Sequence, residues 1–447
     1  MKNSPSWRST RFGSPEDPID LLVAVNRGRA APMLARKFAA MAADPFAFLR
    51  ATAMLGHRAV DLAALPATPL GWICGDLHLQ NFGCFRGANR LVYFDLNDFD
   101  EAARLPVSLD LLRFLGSIYT AAPALGLDRT GADTAVRAVL AAYAGALARG
   151  KAFWLERETA DGPIGALLRQ VSLRKRQSLL ASRTVVQGAR RHMRVDGVRY
   201  LQVADRAGIR AQIAGALAEL GETYGRPEFF VQRDLAWRVA GMGSLGVARF
   251  AVLVRGKGDP DRNAIVDFKC AAPSSAAQAL PHFAQPAWAN EAARVVAIQD
   301  ICQVASPAYL CALKLGRVAY VVRELQPVED RIVLGHLARN RNALDRTLQA
   351  MATLAAYAQL RSSGRTGAAP ADDLIGFGRN LLARPRRWVE AARAVDAANS
   401  AAYARYCLAW RKGDPRLLQL CGPKPDAQIT SLVRPRPAVK RAPLRTR

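Results

Sequence analysis

Apolar residues recur every three or four positions through "DLLVAVNRGR" and "PMLARKFAAMAADPFAFLRATAML", within residues 17–65. This spacing predicts amphipathic helices. The Asp44-Pro45 step ends one helix and opens another, because a residue before proline leaves the helical region and proline suits a first turn. The period then shortens. "LGWICGD" reads as a short strand, and "RLVYFDL" as a second one after the turn "RGAN" at Arg86–Asn89; the two are expected to pair as a hairpin. Helical spacing returns over 107–150 and, with more charge, over 151–222. From Gly225 the chain is rich in Val, Phe and Ile, with a turn at "GKGDPDRN" (Gly256–Asn263), which predicts antiparallel strands. A helix is expected over Ala287–Val304 and a strand over Gly316–Leu325. Beyond Leu337, Leu344, Leu348, Met351, Ala355 and Ala358 form one apolar stripe of a helix that should stop near Ser362–Gly364. A last helix is expected over Arg384–Arg411. No short-period repeat is visible.

The mixture predicts an α+β fold in two lobes. A polar lead-in covers 1–16. A helical lobe spans 17–222, a strand-rich lobe 223–330, and C-terminal helices at 331–421 return to the helical lobe. A Pro- and Arg-rich tail, 422–447, is expected to be disordered.

Composition narrows the function classes. No apolar run reaches the ~18 residues of a membrane span, and the first residues lack the apolar core of a secretory signal. Seven cysteines, with no C-x-x-C, argue against a disulfide framework or a structural zinc site. Reduced thiols in the cytoplasm are the simplest reading. The net charge of +26 would attract polyanions. It is spread along the chain, however, so nucleic-acid binding is the weaker expectation. "LRKRQ" (Leu173–Gln177) and "GARRHMR" (Gly188–Arg194) are its densest clusters.

Three motifs carry chemistry. "GMGSLG" places Gly241, Gly243, Ser244 and Gly246 before "VARFAVLV", which alternates like a strand. Strand, glycine loop, strand is the arrangement that covers ATP phosphates in kinase-like enzymes, whereas a dinucleotide fold needs a helix next; a simple glycine-rich turn would carry the same residues. Lys269 lies near the end of "AIVDFKCA", where it must find an anion or reach solvent. ATP phosphates would serve, with Glu291 in "ANEAARVV" as the acid that holds the lysine. The third motif, "CGDLHLQNFG", separates Asp76 from Asn81 by five residues, the D-x-x-x-x-N spacing of a catalytic base and a magnesium ligand. His78 lies inside it, where a structural hydrogen bond outweighs phosphate contact. The acids of "VYFDLNDFDEA" follow. Asp95 or Asp98 would be the second metal ligand, Asp98 favoured, and Asp100 a further one; so dense an acid cluster in a basic chain calls for a cation. Asp110 and Arg113 in "DLLRF" would brace the loop.

"GDLHLQN" resembles the catalytic loop of small-molecule kinases such as aminoglycoside and choline phosphotransferases, and "DFDEAARLPVSLDLL" resembles the run after their metal site. The order of parts is unusual. Base and acids lie at 76–100, whereas the glycine loop, the lysine and the hinge-like strand "VAYVVREL" lie at 241–325. Joining the C-terminal part to the N-terminal part restores the kinase order, so a circularly permuted kinase-like fold is expected. Over roughly 20–410, "DPFAFLR", "GDLHLQNFG", "FDLNDFDEA", "GMGSLGVARF", "RVVAIQ" and "YVVREL" resemble the bacterial proteins catalogued as domain of unknown function 2252. That resemblance implies a kinase-like fold without a substrate. Where that family has Lys-Glu-Ala the chain has Lys269-Cys270-Ala271, and where it has an acid in its helix the chain has Ala297, leaving Glu291 or no residue as the lysine's partner. The expected activity is ATP- and Mg²⁺-dependent transfer to a small acceptor. The alternative is non-catalytic binding of nucleotide or nucleic acid.

Overall fold

The computed structural model describes residues 17–204 and 208–422. The lead-in 1–16 and the basic tail from 423 lie outside the described residues. Many helices begin where the chain supplies a cap. Asp44 is extended (φ −146°, ψ 117°) and its side chain accepts from Phe46 N, ending the helix Ala31–Ala43 and opening Pro45–Ala51. Asn290 and Asn340 cap Glu291–Cys302 and Arg341–Ser362 in the same way. The apolar stripe of the last of these is buried, from Leu344 through Leu348 and Met351 to Ala355 and Ala358. It packs on Arg129–Arg149 in a large helical core that joins residues from both ends of the chain, from Ile19 to Val171 and from Ala276 to Cys421.

The strand-rich part is one six-stranded antiparallel sheet. Its spatial order is Cys311–Leu315, Val318–Glu324, Ala264–Cys270, Arg249–Val254, Gln232–Arg238 and Tyr200–Leu201. Alternation divides its faces. Phe250, Val252, Val254, Val266, Phe268 and Val322 form an outer apolar core with Ile213, Leu217 and Leu220 of the helix Ile209–Thr223. The opposite face carries Ala251, Leu253 and Ile265 at one end and charge at the other. There Asp267 is 1% exposed. Its carboxylate takes Arg249 Nε at 2.9 Å and lies 2.9 Å from an Arg238 terminal nitrogen. Burial opposes its ionisation, but the two arginines win and hold its carboxyl well below the usual range.

Two details differ from the pattern-based expectation. "LGWI" does not pair with "VYFDL". Leu70–Ile73 pairs with Ala103–Pro106, and Val92–Leu96 pairs with Phe82–Arg86. The result is one antiparallel pair nested inside another, and it brings the connecting loops 74–81 and 97–102 to the same end. A local pattern identifies strands but not their partners. Residues 151–222 are also less helical than expected: the cluster "GARRHMR" lies on a hairpin, Thr184–Gln187 with Arg190–Met193, and Ile209–Thr223 packs with the sheet rather than with the helical lobe.

Candidate functional site

The two nested strand pairs deliver the acid-rich loops side by side. Their contact is tight at Gly75, whose φ of +79° favours glycine. A Cβ there would lie 2.0 Å from the carbonyl oxygen of Glu101. Asp110, in the first turn of the helix Ser108–Ala121, accepts from Cys74 N (2.8 Å) and Gly75 N (3.1 Å). Burial pushes its carboxyl up to about 6 against those bonds. Arg113, one turn on, donates to Asp76 Oδ1 at 2.6 Å and to Leu49 O at 2.7 Å. Both residues brace the loop from a helix start, as expected of Asp110 and Arg113 in "DLLRF". His57, fully buried, bonds through Nε2 to Gly75 O at 2.5 Å.

Asp76 keeps 20% of its side chain exposed. Burial pushes its carboxyl up to about 7, although Arg113 pulls the other way. A carboxyl near neutrality suits proton transfer at physiological pH. His78 lies 3.7 Å from Asp76 Oδ2. It accepts from Gln80 N through Nδ1 (3.1 Å), stacks edge-on with Phe46, and is held neutral mainly by burial. These contacts fit a structural role. Asn81 donates to the carbonyls of Asp76 and Asp98, both at 3.2 Å, and thereby ties the two loops together. Its Oδ1 is buried, and among the described residues none donates to it. Such an oxygen is costly unless something outside the chain satisfies it.

The acid cluster divides. Asp98, with 43% of its side chain exposed, and Asp100 face the cleft. Asp95 does not. It is 1% exposed, pairs with Arg361 at 2.7 Å and does not line the cleft. Arg361 also donates to the carbonyls of Cys302 and Phe153. Asp95 is therefore a packing residue rather than a metal-ligand candidate; strand alternation turns it away from the loop that carries Asp98. Glu101 turns inward as well. Its carboxylate accepts from Ser275 N and Oγ and from Ala276 N, at the start of the helix Ser275–Ala279.

Lys269 reaches this loop from the sheet. Its ammonium, 8% exposed, pairs with Asp100 and lies 3.4 Å from Asp98 Oδ1. Burial opposes ionisation of Asp98, but Lys269 and then Arg323 and Arg331 outweigh it and hold that carboxyl low. The expected Lys269–Glu291 pair is absent. Glu291 bonds Arg294 Nε at 2.6 Å instead, and Arg294 donates to the carbonyls of Asp100, Ala102 and Ala272. The helix acid thus acts through an arginine on the acid loop's backbone, and the lysine meets the acids of that loop directly.

The glycine loop closes the cleft from above. Gly241 (φ +82°) and Gly246 (φ +88°) turn it. The Gly243 carbonyl accepts from Arg29 (2.6 Å) and from the buried Lys37 (2.9 Å), and Ala30 N donates to Gly246 O (3.0 Å). Gly241, Gly243 and Ser244 face Asp76, Asn81, Asp98 and Asp100 across the cleft. Arg50 and Arg331 also line it, and Arg50 Nε is buried without a hydrogen-bond partner among the described residues. Sequence reasoning passed over both arginines; only the quoted "DPFAFLR", which ends on Arg50, touched one of them. Beside the cleft, and sharing Arg29, Arg50, Asp76 and Gly243 with it, is a cavity of about 520 Å³ walled by Val25, Met54, Val247, Ala248 and Tyr320.

Among the described residues no group of three or more His, Cys, Asp or Glu side chains is arranged to hold a metal. A Mg²⁺ site needs less, since one or two carboxylates with substrate phosphates and water suffice. Asn81 Oδ1, Asp98 and Asp100 fit that donor set. Among the described residues no helix is long and apolar enough to cross a membrane.

Fold and site together define a mixed α+β protein in which a strand-borne lysine and a glycine loop meet an Asp/Asn loop across a charged cleft. The chain belongs to the family of uncharacterized proteins conserved in bacteria, DUF2252, whose model matches residues 29–409. No curated protein and no solved structure matches it.

Proposed function

We propose that the cleft binds ATP with Mg²⁺ and transfers a phosphoryl group to a small-molecule acceptor, on a circularly permuted kinase-like scaffold. The observation that carries this reading is the meeting of Lys269 with Asp98 and Asp100 beside Asn81 and Asp76. Kinase-like sites use these parts in this relation: glycine loop above, lysine on the sheet, acid and amide below. The helix Arg341–Ser362 and the connection from Leu325 then occupy the chain positions that ordinarily lead into the catalytic loop.

Asp98, Asp100 and Asn81 Oδ1 would hold the cation, which supplies charge neutralisation at the phosphates when bound. Lys269 is poised to exchange its carboxylate partners for phosphate oxygens. Backbone N–H groups of residues 241–246 are available to the same phosphates. Asp76 accepts the acceptor's hydroxyl proton as that oxygen bonds to phosphorus and the bond to the ADP oxygen breaks. Arg113 holds the carboxylate in place, and its burial keeps the proton affinity near neutral. The cavity beside the loop, with apolar walls at Val25, Met54 and Val247 and charged ones at Arg29 and Asp76, has room for a nucleoside.

The nucleic-acid reading loses support from the fate of its basic clusters. Arg174 pairs with Asp330, Arg191 with Asp261 and the Pro260 carbonyl, and Arg194 donates to the carbonyls of Ala181 and Thr184. Turnover decides the main reading. With labelled ATP and a metabolite extract, the wild type labels an acceptor and Asp76→Asn loses at least about a hundredfold in rate. Label transfer that survives in Asp76→Asn refutes the assignment.

A further inference from the structure

Behind the connection that leaves the sheet lies a second cavity, of about 190 Å³, separate from the cleft. One liquid water occupies ~30 Å³, so this space accommodates a polyatomic guest. Five cationic side chains line it, Arg86, Arg90, Arg174, Lys175 and Arg176, against two carboxylates, Glu324 and Asp330. Those carboxylates are already committed: Glu324 lies 3.3 Å from Arg90, and Asp330 takes Arg174. Among the described residues, Arg86 has only the Arg90 carbonyl (2.8 Å) and Arg176 only the Asn263 carbonyl (3.4 Å). Burial lowers the proton affinity of Arg86, and Arg90, Arg176 and Arg174 push it the same way against Glu324. All three cations of "LRKRQ" therefore line this cavity, and of them Arg174 is already neutralised by Asp330.

The other walls refine the ligand. Phe85, Leu180 and Leu325 give it an apolar side. Oε1 of Gln326, also on the wall, is buried and has no donor among the described residues. Arginines are the residues that match phosphate oxygens in geometry as well as charge. An unsatisfied amide oxygen beside them calls for a hydroxyl or amine on the same guest.

We propose that this cavity is a binding site for a small organic phosphate bearing a hydroxyl group, held by Arg86, Arg176 and Lys175 and bonded to Gln326. Arg86 and Arg90 come from the hairpin beside the acid loops, Arg174 to Arg176 from the helical segment, and Leu325 to Pro327 from the connection between sheet and helices. The guest thus ties the two lobes together behind the cleft. The inference stands apart from the phosphotransferase reading, because it uses none of that site's residues.

The experiment uses the full chain, with glycerol 3-phosphate and inorganic phosphate as probes. Binding is followed by calorimetry, and hydrogen exchange locates it. Glycerol 3-phosphate should bind saturably and protect 171–180 and 324–330. Arg86→Gln and Arg176→Gln should each weaken it by at least about tenfold, the loss of one charge-assisted bond, whereas Lys269→Ala and the exposed Arg386→Gln leave it unchanged. Hydrogen exchange on the wild type alone decides the question if a variant misfolds. The proposal is overturned if neither probe binds, if both arginine variants bind as the wild type does, or if Lys269→Ala abolishes binding, which would place the anion in the cleft. Salt-sensitive binding of an oligonucleotide with no affinity for glycerol 3-phosphate overturns it as well.

Discussion

Replacing Asp267 by Asn keeps the side chain's shape and removes its charge. The carboxylate is 1% exposed and sits between Arg249, bonded through Nε at 2.9 Å, and Arg238, 2.9 Å away. Arg238 also donates to the Gln326 carbonyl at 2.8 Å, and Arg323 approaches from the next strand. The arginines are 7% and 8% exposed, so without the carboxylate two buried guanidiniums face each other with no counter-charge between them. Removing one member of a buried ion pair costs about 3–5 kcal/mol, because the desolvated partner remains. That is a large share of the ~5–15 kcal/mol of a typical domain. Urea unfolding at pH 7, followed by tryptophan fluorescence, measures the difference. The exposed i,i+4 pair Arg386–Glu390 is the control, and Glu390→Gln should stay within about 0.5 kcal/mol. If Asp267→Asn costs less than about 1 kcal/mol, the cluster is not desolvated and the described inner face of the sheet is wrong.

His57 supplies a pH dependence. Its folded proton affinity is lowered from 6.5 to about 4, chiefly by burial and then by Arg113. A lowered value means that charging the ring favours the unfolded chain, so stability present above pH 6.5 is lost as pH falls toward 4. The wild type should lose about 2 kcal/mol more than His57→Gln between pH 7 and pH 5; parallel pH profiles in urea unfolding contradict this. Gly75→Ala meets a positive φ and the Glu101 carbonyl at 2.0 Å. It should destabilise by at least about 2 kcal/mol and slow any turnover, and a melting temperature equal to the wild type's would show that loops 74–81 and 97–102 do not pack as described. Asn81→Ala should weaken any Mg²⁺ dependence while shifting stability far less than Asp267→Asn, and equal Mg²⁺ response in both proteins speaks against a metal role for its Oδ1.

What the chain's pattern revealed was mostly local. The stripe from Leu344 to Ala358, the helix break at Asp44-Pro45, and the spacing of Asp76 and Asn81 are all set by residues near one another, and the structure contains them. Asp95 against Asp98 was only half legible. Both lie in one acid run, and the residue that claims Asp95, Arg361, is far away in the chain. Alternation along Val92–Leu96 was the available signal, since it puts Asp95 on a strand face and leaves Asp98 in the loop. Glu291, the acid of its helix before Asp300, is the lysine's candidate partner by sequence with no partner as the alternative, but Arg294 stands three residues on, within reach on one helix face. The pairing of "LGWI" with Ala103–Pro106 was hidden because Ala103–Pro106 is short, contains Arg104 and ends in proline. Arg50 and Arg331 escaped notice because single arginines in an arginine-rich chain carry no pattern, and only the fold aims them into one cleft.

The central claim is that segments at 76–100 and 241–269 build one nucleotide site. Equilibrium binding of ATP, with and without Mg²⁺, tests it most directly in the wild type and in Lys269→Ala. Mg²⁺-dependent binding that falls at least about tenfold in Lys269→Ala, the loss of a charge-assisted contact, is the predicted result. No ATP binding in the wild type, or binding that ignores both Mg²⁺ and the lysine, would contradict it.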